Sequence, residues 1–214
     1  MASKSDKNSD KNNIAVERLF AIPVYRVMLN NFEPHREPLI KLIQAHRKKS
    51  PGIHRSNANA WHSENNLHHW DNDHVRWLNK EIGEVSMACL TNYGNLPKKF
   101  NLVLHSAWAN ICGLGGWNVP HNHIPNHWSG VVYLDVEDPE DDPKKRDKND
   151  KSGMIEFLNP IQLGSFFGLP TGVSYRPKNG QIFLFHSALT HLVHPHFTKF
   201  ERISIAFNLN IDEQ

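Results

Sequence analysis

The sequence is poor in cysteine, has no long apolar run and carries no excess of either charge. Cys89 and Cys112 are the only thiols in 214 residues. Two scattered cysteines do not frame a disulfide-stapled scaffold, so packing must hold the chain together, and a reducing, cytoplasmic compartment is expected. No stretch approaches the roughly 18 apolar residues of a membrane span, and the opening MASKSDKNSDKNN lacks the apolar core of a secretory signal. Lysine and arginine total 24 against 22 acidic residues, a net charge of +2. That near-balance removes the electrostatic argument for a nucleic-acid partner or an anionic membrane surface. Apolar residues make up 39% of the chain, lean but sufficient at a length where folding buries roughly 70% of the unfolded surface.

Residues 1–14 mix Lys, Asp, Ser and Asn without apolar periodicity and read as a disordered tail. Residues 15–214 read as a single domain. From Arg18 to Leu29 (RLFAIPVYRVML) β-formers dominate, and Pro23 suits an edge strand or a bulge; an edge strand there could pair with a second copy in a homodimer. Residues 34–48, with Leu39, Leu42 and Ile43 at helical spacing, predict a first helix closed by Pro51-Gly52. Residues 53–72 read as a long ordered loop. A second helix is expected from Asp73 to about Asn92, with Val75, Leu78, Ile82, Val85 and Cys89 as its apolar stripe and Gly94 as its stop.

After residue 100 the period changes from 3.6 to 2. Strands are expected over 101–111, 129–136, 153–158, 172–177, 181–186, 189–194 and 201–211, with turns at Gly115-Gly116, Asn159-Pro160, Pro177 to Gly180 and Pro195. This pattern predicts a mainly β fold: an antiparallel jelly roll, or cupin-like double-stranded β-helix, with N-terminal helices packed on one sheet. The segment EDPEDDPKKRDKNDKS, residues 137–152, reads as a solvated, mobile insert.

What is plentiful is histidine, fifteen in all. Most are expected at the surface, but His121-Asn122-His123 stands out between the turn GLGGWNVP and the strand SGVVYL. On an extended segment, side chains at i and i+2 share a face, so both imidazoles can reach one ion. Antiparallel pairing can bring His191, in GQIFLFHSALTHLVHPHF, to the same face. Imidazole suits iron, zinc, copper or nickel, and three protein ligands leave positions open for other molecules. The last strand, RISIAFNLNI, has Ile203, Ile205, Phe207, Leu209 and Ile211 on one face. Arg202, Ser204, Ala206, Asn208 and Asn210 occupy the other, which either meets water or looks into the roll to bind something charged. His127, His194 and His196 are expected in surface or structural roles and His186 in packing. Trp61 and His62 either cover a cavity mouth or, more simply, dock on the core.

Taken in order, HNHIPNHWSGVVYL, GMIEFLNP, RPKNGQIFLFHSALTHLV and ERISIAFN resemble the 2-oxoglutarate/Fe(II) oxygenases of prolyl-hydroxylase-like type. They look most like a bacterial and phage branch with an H-x-H signature before S-G-V-x-Y. The resemblance covers about residues 18–211, beginning at LFAIPVY, and its specific matches lie in 106–211. It implies Fe(II) and 2-oxoglutarate as cofactors, with His121 and His191 as the first and distal iron ligands. It implies Arg202 and Ser204 for the distal carboxylate of 2-oxoglutarate, with Trp108, Asn110 and Tyr133 lining the same pocket. The wider superfamily has a carboxylate where this chain has His123, which is taken as the third ligand. Superfamily halogenases have Ala or Gly there, and the bulk of His123 argues against their chemistry.

The implied activity is that of a dioxygenase hydroxylating a small molecule or protein side chain, with release of succinate and CO2. Two other readings of the residues stay open. One is a three-histidine, cupin-like metalloenzyme without 2-oxoglutarate, which leaves Arg202 and Ser204 without a task. The other is a non-catalytic metal-binding protein.

Overall fold

The structure, a computed structural model, describes residues 21–91, 99–137, 150–161, 166 and 168–213. The tail expected over 1–14, the Gly94 stop and most of the insert expected over 137–152 lie outside the described residues. The elements run β1 (Val24–Met28), α1 (Glu33–Arg47), β2 (Asn57–His62), a 3-10 turn (Leu67–His69), α2 (Asp73–Thr91), β3 (Phe100–His121), β4 (Trp128–Asp135), β5 (Ile155–Leu158), β6 (Gly172–Tyr175), β7 (Gln181–His186), β8 (His191–Val193) and β9 (Arg202–Glu213). No described helix is long and apolar enough to cross a membrane.

Antiparallel pairing arranges the strands in the order β1-β7-β4-β9-β3-β8-β5-β6, with β2 added alongside β3. The sheet curls on itself. Val131 and Tyr133 of β4 and Phe183 and Phe185 of β7 pack with Ile155 and Phe157 of β5, although these strands are far apart in the order. The result is the expected jelly roll, and of the edge strand or bulge that Pro23 suggested, β1 is the edge strand. Outside the curl, Ile203, Ile205, Phe207 and Leu209 of β9 form a second core with Leu39, Ile40 and Ile43 of α1 and Val75, Leu78, Ile82 and Leu90 of α2. Asn72 caps α2, its Oδ1 accepting from the His74 amide at 2.9 Å. The polar face of β9 does not meet water: Arg202, Ser204 and Asn208 are buried on the inner side of the roll.

Two strand expectations need correction. Residues 53–72 are not all loop, because Asn57–His62 forms β2. Its sequence NANAWH has no β-branched residue, so its pairing with β3 rather than local propensity makes it a strand. The second concerns β3, which continues through Gly113–Gly116 to His121 instead of ending near residue 111. Up to Cys112 it pairs with β9; from Asn118 it pairs with β8. The glycines therefore mark the place where one strand passes from one half of the curled sheet to the other. A Cβ on Gly116 would lie 2.9 Å from the Asn59 carbonyl oxygen and 3.0 Å from that of Gly113. Gly116→Ala is accordingly expected to lower stability by about 1–3 kcal/mol through overpacking, measured as a fall in the denaturant midpoint. An unchanged midpoint would mean that the bend has slack.

Candidate metal centre

His121 ends β3 and His191 opens β8, and the two face each other in register. His123 follows in the loop, whose amide at that position donates to the Ser187 carbonyl at 2.9 Å. Each of the three offers a ring nitrogen, and these atoms lie within 4.8 Å of one another. Ring centroids are 4.4 Å apart for His121–His191, 4.9 Å for His121–His123 and 5.1 Å for His123–His191. The H-x-H spacing and the distal histidine thus converge as the sequence led one to expect.

Backbone carbonyls fix the tautomers of two rings. His121 Nδ1–H donates to Val119 O at 2.6 Å and His191 Nδ1–H to Leu189 O at 3.0 Å, which leaves Nε2 of each for a shared ion. Burial, reinforced by the neighbouring imidazoles, pushes His123 down to about 4 and His191 to about 3. Burial also lowers His121. Near neutral pH the cluster is therefore uncharged, the form in which imidazole binds metal.

Trp108 and Asn110, on the inner face of β3, border a cavity of about 50 Å³ together with the three histidines, Val131, Ile155 and Phe185. The Asn110 side-chain oxygen is buried there without a described partner. Beyond it comes the cross-strand row Asn110–Ser204–Tyr133, and beyond that Arg202 opposite Cys112. The Arg202 guanidinium donates to Gly153 O at 3.0 Å and to Cys112 Sγ at 3.3 Å. Its Nε and the Tyr133 hydroxyl are buried with no described partner. No described carboxylate pairs with Arg202, although Glu137 borders the separate cavity of about 20 Å³ on which Arg202 opens. Burial pushes the Tyr133 phenol up to about 12 against the opposing pull of Arg202, so it stays a donor. A buried cation without a counter-ion, flanked by orphaned polar atoms on the face that carries the histidines, is chemically suited to an anion.

The remaining histidines divide along simple lines. His186 sits edge-on to Trp128 and accepts from the Ala188 amide, a packing role. His127 accepts from the Ile211 amide, and His194 pairs with Glu156 at 2.5 Å. His196 is buried beside the small cavity at Arg202. Trp61 docks on the core and donates to Ser50 O, whereas His62 is buried against Trp108 with parallel rings 5.4 Å apart. Ser56 and Asn118 were not anticipated. Ser56 Oγ lies 3.3 Å from His121 Nε2 and accepts from Asn118 at 3.4 Å. Only the pairing of β2 with β3 brings them there, and no local motif announces it.

The curled jelly roll carries, at the joint of its two halves, an imidazole cluster that could hold a metal ion. The same fold occurs in a Pseudomonas putida prolyl-4-hydroxylase, with a TM-score of 0.58 and 12% identity over 87% of this chain and 91% of that one. It occurs in a Trichoplax adhaerens prolyl hydroxylase in complex with a hypoxia-inducible-factor peptide fragment (TM-score 0.58, 12% identity, 86% and 83% covered). HygX of Streptomyces hygroscopicus, bound to nickel, 2-oxoglutarate and hygromycin B, shares it as well (TM-score 0.56, 12% identity, 87% and 82% covered). At these identities the likeness is one of fold. Residues 106–208 match the family model described as "Putative 2OG-Fe(II) oxygenase". That segment contains the three histidines, Trp108, Asn110, Tyr133, Arg202 and Ser204. The matched segment is thus similar to 2-oxoglutarate/Fe(II) oxygenases, and the fold around it is one that prolyl hydroxylases share. No curated protein is significantly similar to the chain in sequence.

Proposed function

We propose that the protein is an Fe(II)- and 2-oxoglutarate-dependent dioxygenase that hydroxylates its substrate. The observation that carries this reading is the pairing of two features on one inner face: three neutral imidazoles with converging nitrogens, and a buried Arg202 that lacks an anion. The donor set fits the metal, since nitrogen ligands suit iron and three of them leave coordination positions open. Iron with 2-oxoglutarate bound supplies activation of dioxygen, coupled to conversion of 2-oxoglutarate into succinate and CO2.

The chain's own residues hold and orient. His121, His123 and His191 grip the ion, and the carbonyls of Val119 and Leu189 keep two of the rings aimed at it. Arg202 offers its fork to the distal carboxylate of 2-oxoglutarate, with the Tyr133 and Ser204 hydroxyls as further donors. Trp108 and Asn110 bound the space between, and Val131, Ile155 and Phe185 exclude water from it. An imidazole at position 123 leaves the centre one charge more positive than a carboxylate would.

His123 also favours a second reading, a three-histidine enzyme working without 2-oxoglutarate. One experiment separates the two. Fe(II) and 2-oxoglutarate are added to the protein without oxygen, and the visible charge-transfer band of chelated iron is sought. A band is the expected result. Iron binding with no band at saturating 2-oxoglutarate would reject the proposal in favour of the second reading.

A further inference from the structure

The three-histidine face is bordered by a second, larger cavity that the cofactors leave unassigned. It measures about 270 Å³ and shares Ser56, Trp108, His121 and His123 with the inner one. A molecule in it would therefore reach the three-histidine face without touching Arg202, which lines neither cavity. That volume falls just below the roughly 300–1,000 Å³ of pockets for drug-sized ligands, which suits a single small metabolite.

Its walls have a definite chemistry. No carboxylate and no aliphatic side chain lines it among the described residues, whereas the amides of Asn65, Asn122 and Asn208 do. Its single cation among the described residues is Arg55, an exposed residue just before β2, whose guanidinium has no described carboxylate partner. The segment is anchored, because the Arg55 amide donates to Asn57 Oδ1 at 2.7 Å and Val119 N donates to Ser56 O at 2.9 Å. His62 contributes the complementary group. Its Nδ1–H is committed to Ser63 O, so Nε2 is left as an acceptor with no described partner, on a ring clamped parallel to Trp108.

We infer that this outer cavity is the substrate chamber, and that it selects a small metabolite bearing a carboxylate or phosphate for Arg55 and a hydrogen-bond donor for His62. The inference rests on the oxygenase reading and specifies its substrate class. An apolar substrate would leave the buried His62 acceptor unpaired, a mismatch that polar sites penalise strongly, and a purely cationic one would face Arg55 with no carboxylate in the described lining to offset it.

The test uses the full chain loaded with zinc, so that no turnover occurs, and saturated with 2-oxoglutarate. A metabolite library divided among carboxylates, phosphates and matched neutral compounds is screened by ligand-observed NMR. Hits are expected among the anionic members, and the two anionic subsets tell carboxylate from phosphate. Their affinity should fall roughly tenfold or more in Arg55→Ala, the loss of a charge-assisted hydrogen bond, and recover in part in Arg55→Lys. His62→Phe, which keeps the ring stack, should weaken the same hits. Hits confined to neutral compounds, anions that bind Arg55→Ala as tightly as the native protein, or no anion dependent on Arg55 would each overturn the inference. Binding of 2-oxoglutarate is read in the same spectra and should survive Arg55→Ala. Its absence from the native protein would instead count against the oxygenase reading.

Discussion

Replacing His191 with alanine is expected to weaken iron binding by more than about 100-fold, since merely altering a ligand's hydrogen-bond partner costs about 10–100-fold in metal affinity. His191 is the most enclosed of the three imidazoles: it is 5% exposed, and its ring lies 4.7 Å from that of Phe185. It is also the only one supplied by β8, so its loss leaves two ligands from one short segment of chain. The variant should lose some stability as well, because truncation opens a void among Phe157, Phe185 and His121. His194→Ala is the companion control. It lies three residues on, pairs with Glu156, and should bind iron like the native protein. Anaerobic titration against a competing chelator reads the difference, and circular dichroism verifies that both variants are folded. Native affinity in a folded His191→Ala would remove His191 from the centre.

Arg202→Ala is expected to spare iron and cripple 2-oxoglutarate binding. Truncating one partner of a buried, hydrogen-bonded charge pair costs about 2–5 kcal/mol, so the 2-oxoglutarate concentration needed for the visible band should rise by about 30-fold to several thousandfold. Arg202→Lys keeps a charge but loses the planar fork and should fall between. A second expectation separates binding from mere architecture. Without a ligand the guanidinium is a buried cation with no carboxylate partner, so Arg202→Met should be no less stable than the native protein when 2-oxoglutarate is absent. Adding 2-oxoglutarate with the metal should then raise the melting temperature of the native protein and not that of Arg202→Met. Equal thermal shifts in both would mean that the distal carboxylate is held elsewhere.

Much of this site could be read from the sequence because its ligands sit where local patterns are strongest. His121 and His123 fall at a strand end after a glycine-rich stretch, and His191 follows an apolar strand and a tight turn. The alternation in β9 sorted Arg202 and Ser204 to one face, but alternation alone does not say whether that face meets solvent or the interior of a roll. The curl decides it, by laying Ile155 and Phe157 of β5 over that side. Ser56 and Asn118 could not be found in the same way, and His62 could be named as a cavity candidate but not placed. Ser56 and His62 lie in or beside β2, a strand created by its partner, and Asn118 follows glycines that looked like an ending and prove to be a bend. Tertiary pairing outweighed local propensity at those positions.

The joint between β3 and β8 is slight: Asn118 opposes Val193 and His121 opposes His191, with a shift of register between them. An ion held by His121 and His191 would add a rung to this ladder where backbone rungs are fewest. It would also close a long loop of chain, shrinking the freedom of the unfolded state as any cross-link does. The centre that prepares the chemistry would then double as the clasp between the two halves of the roll.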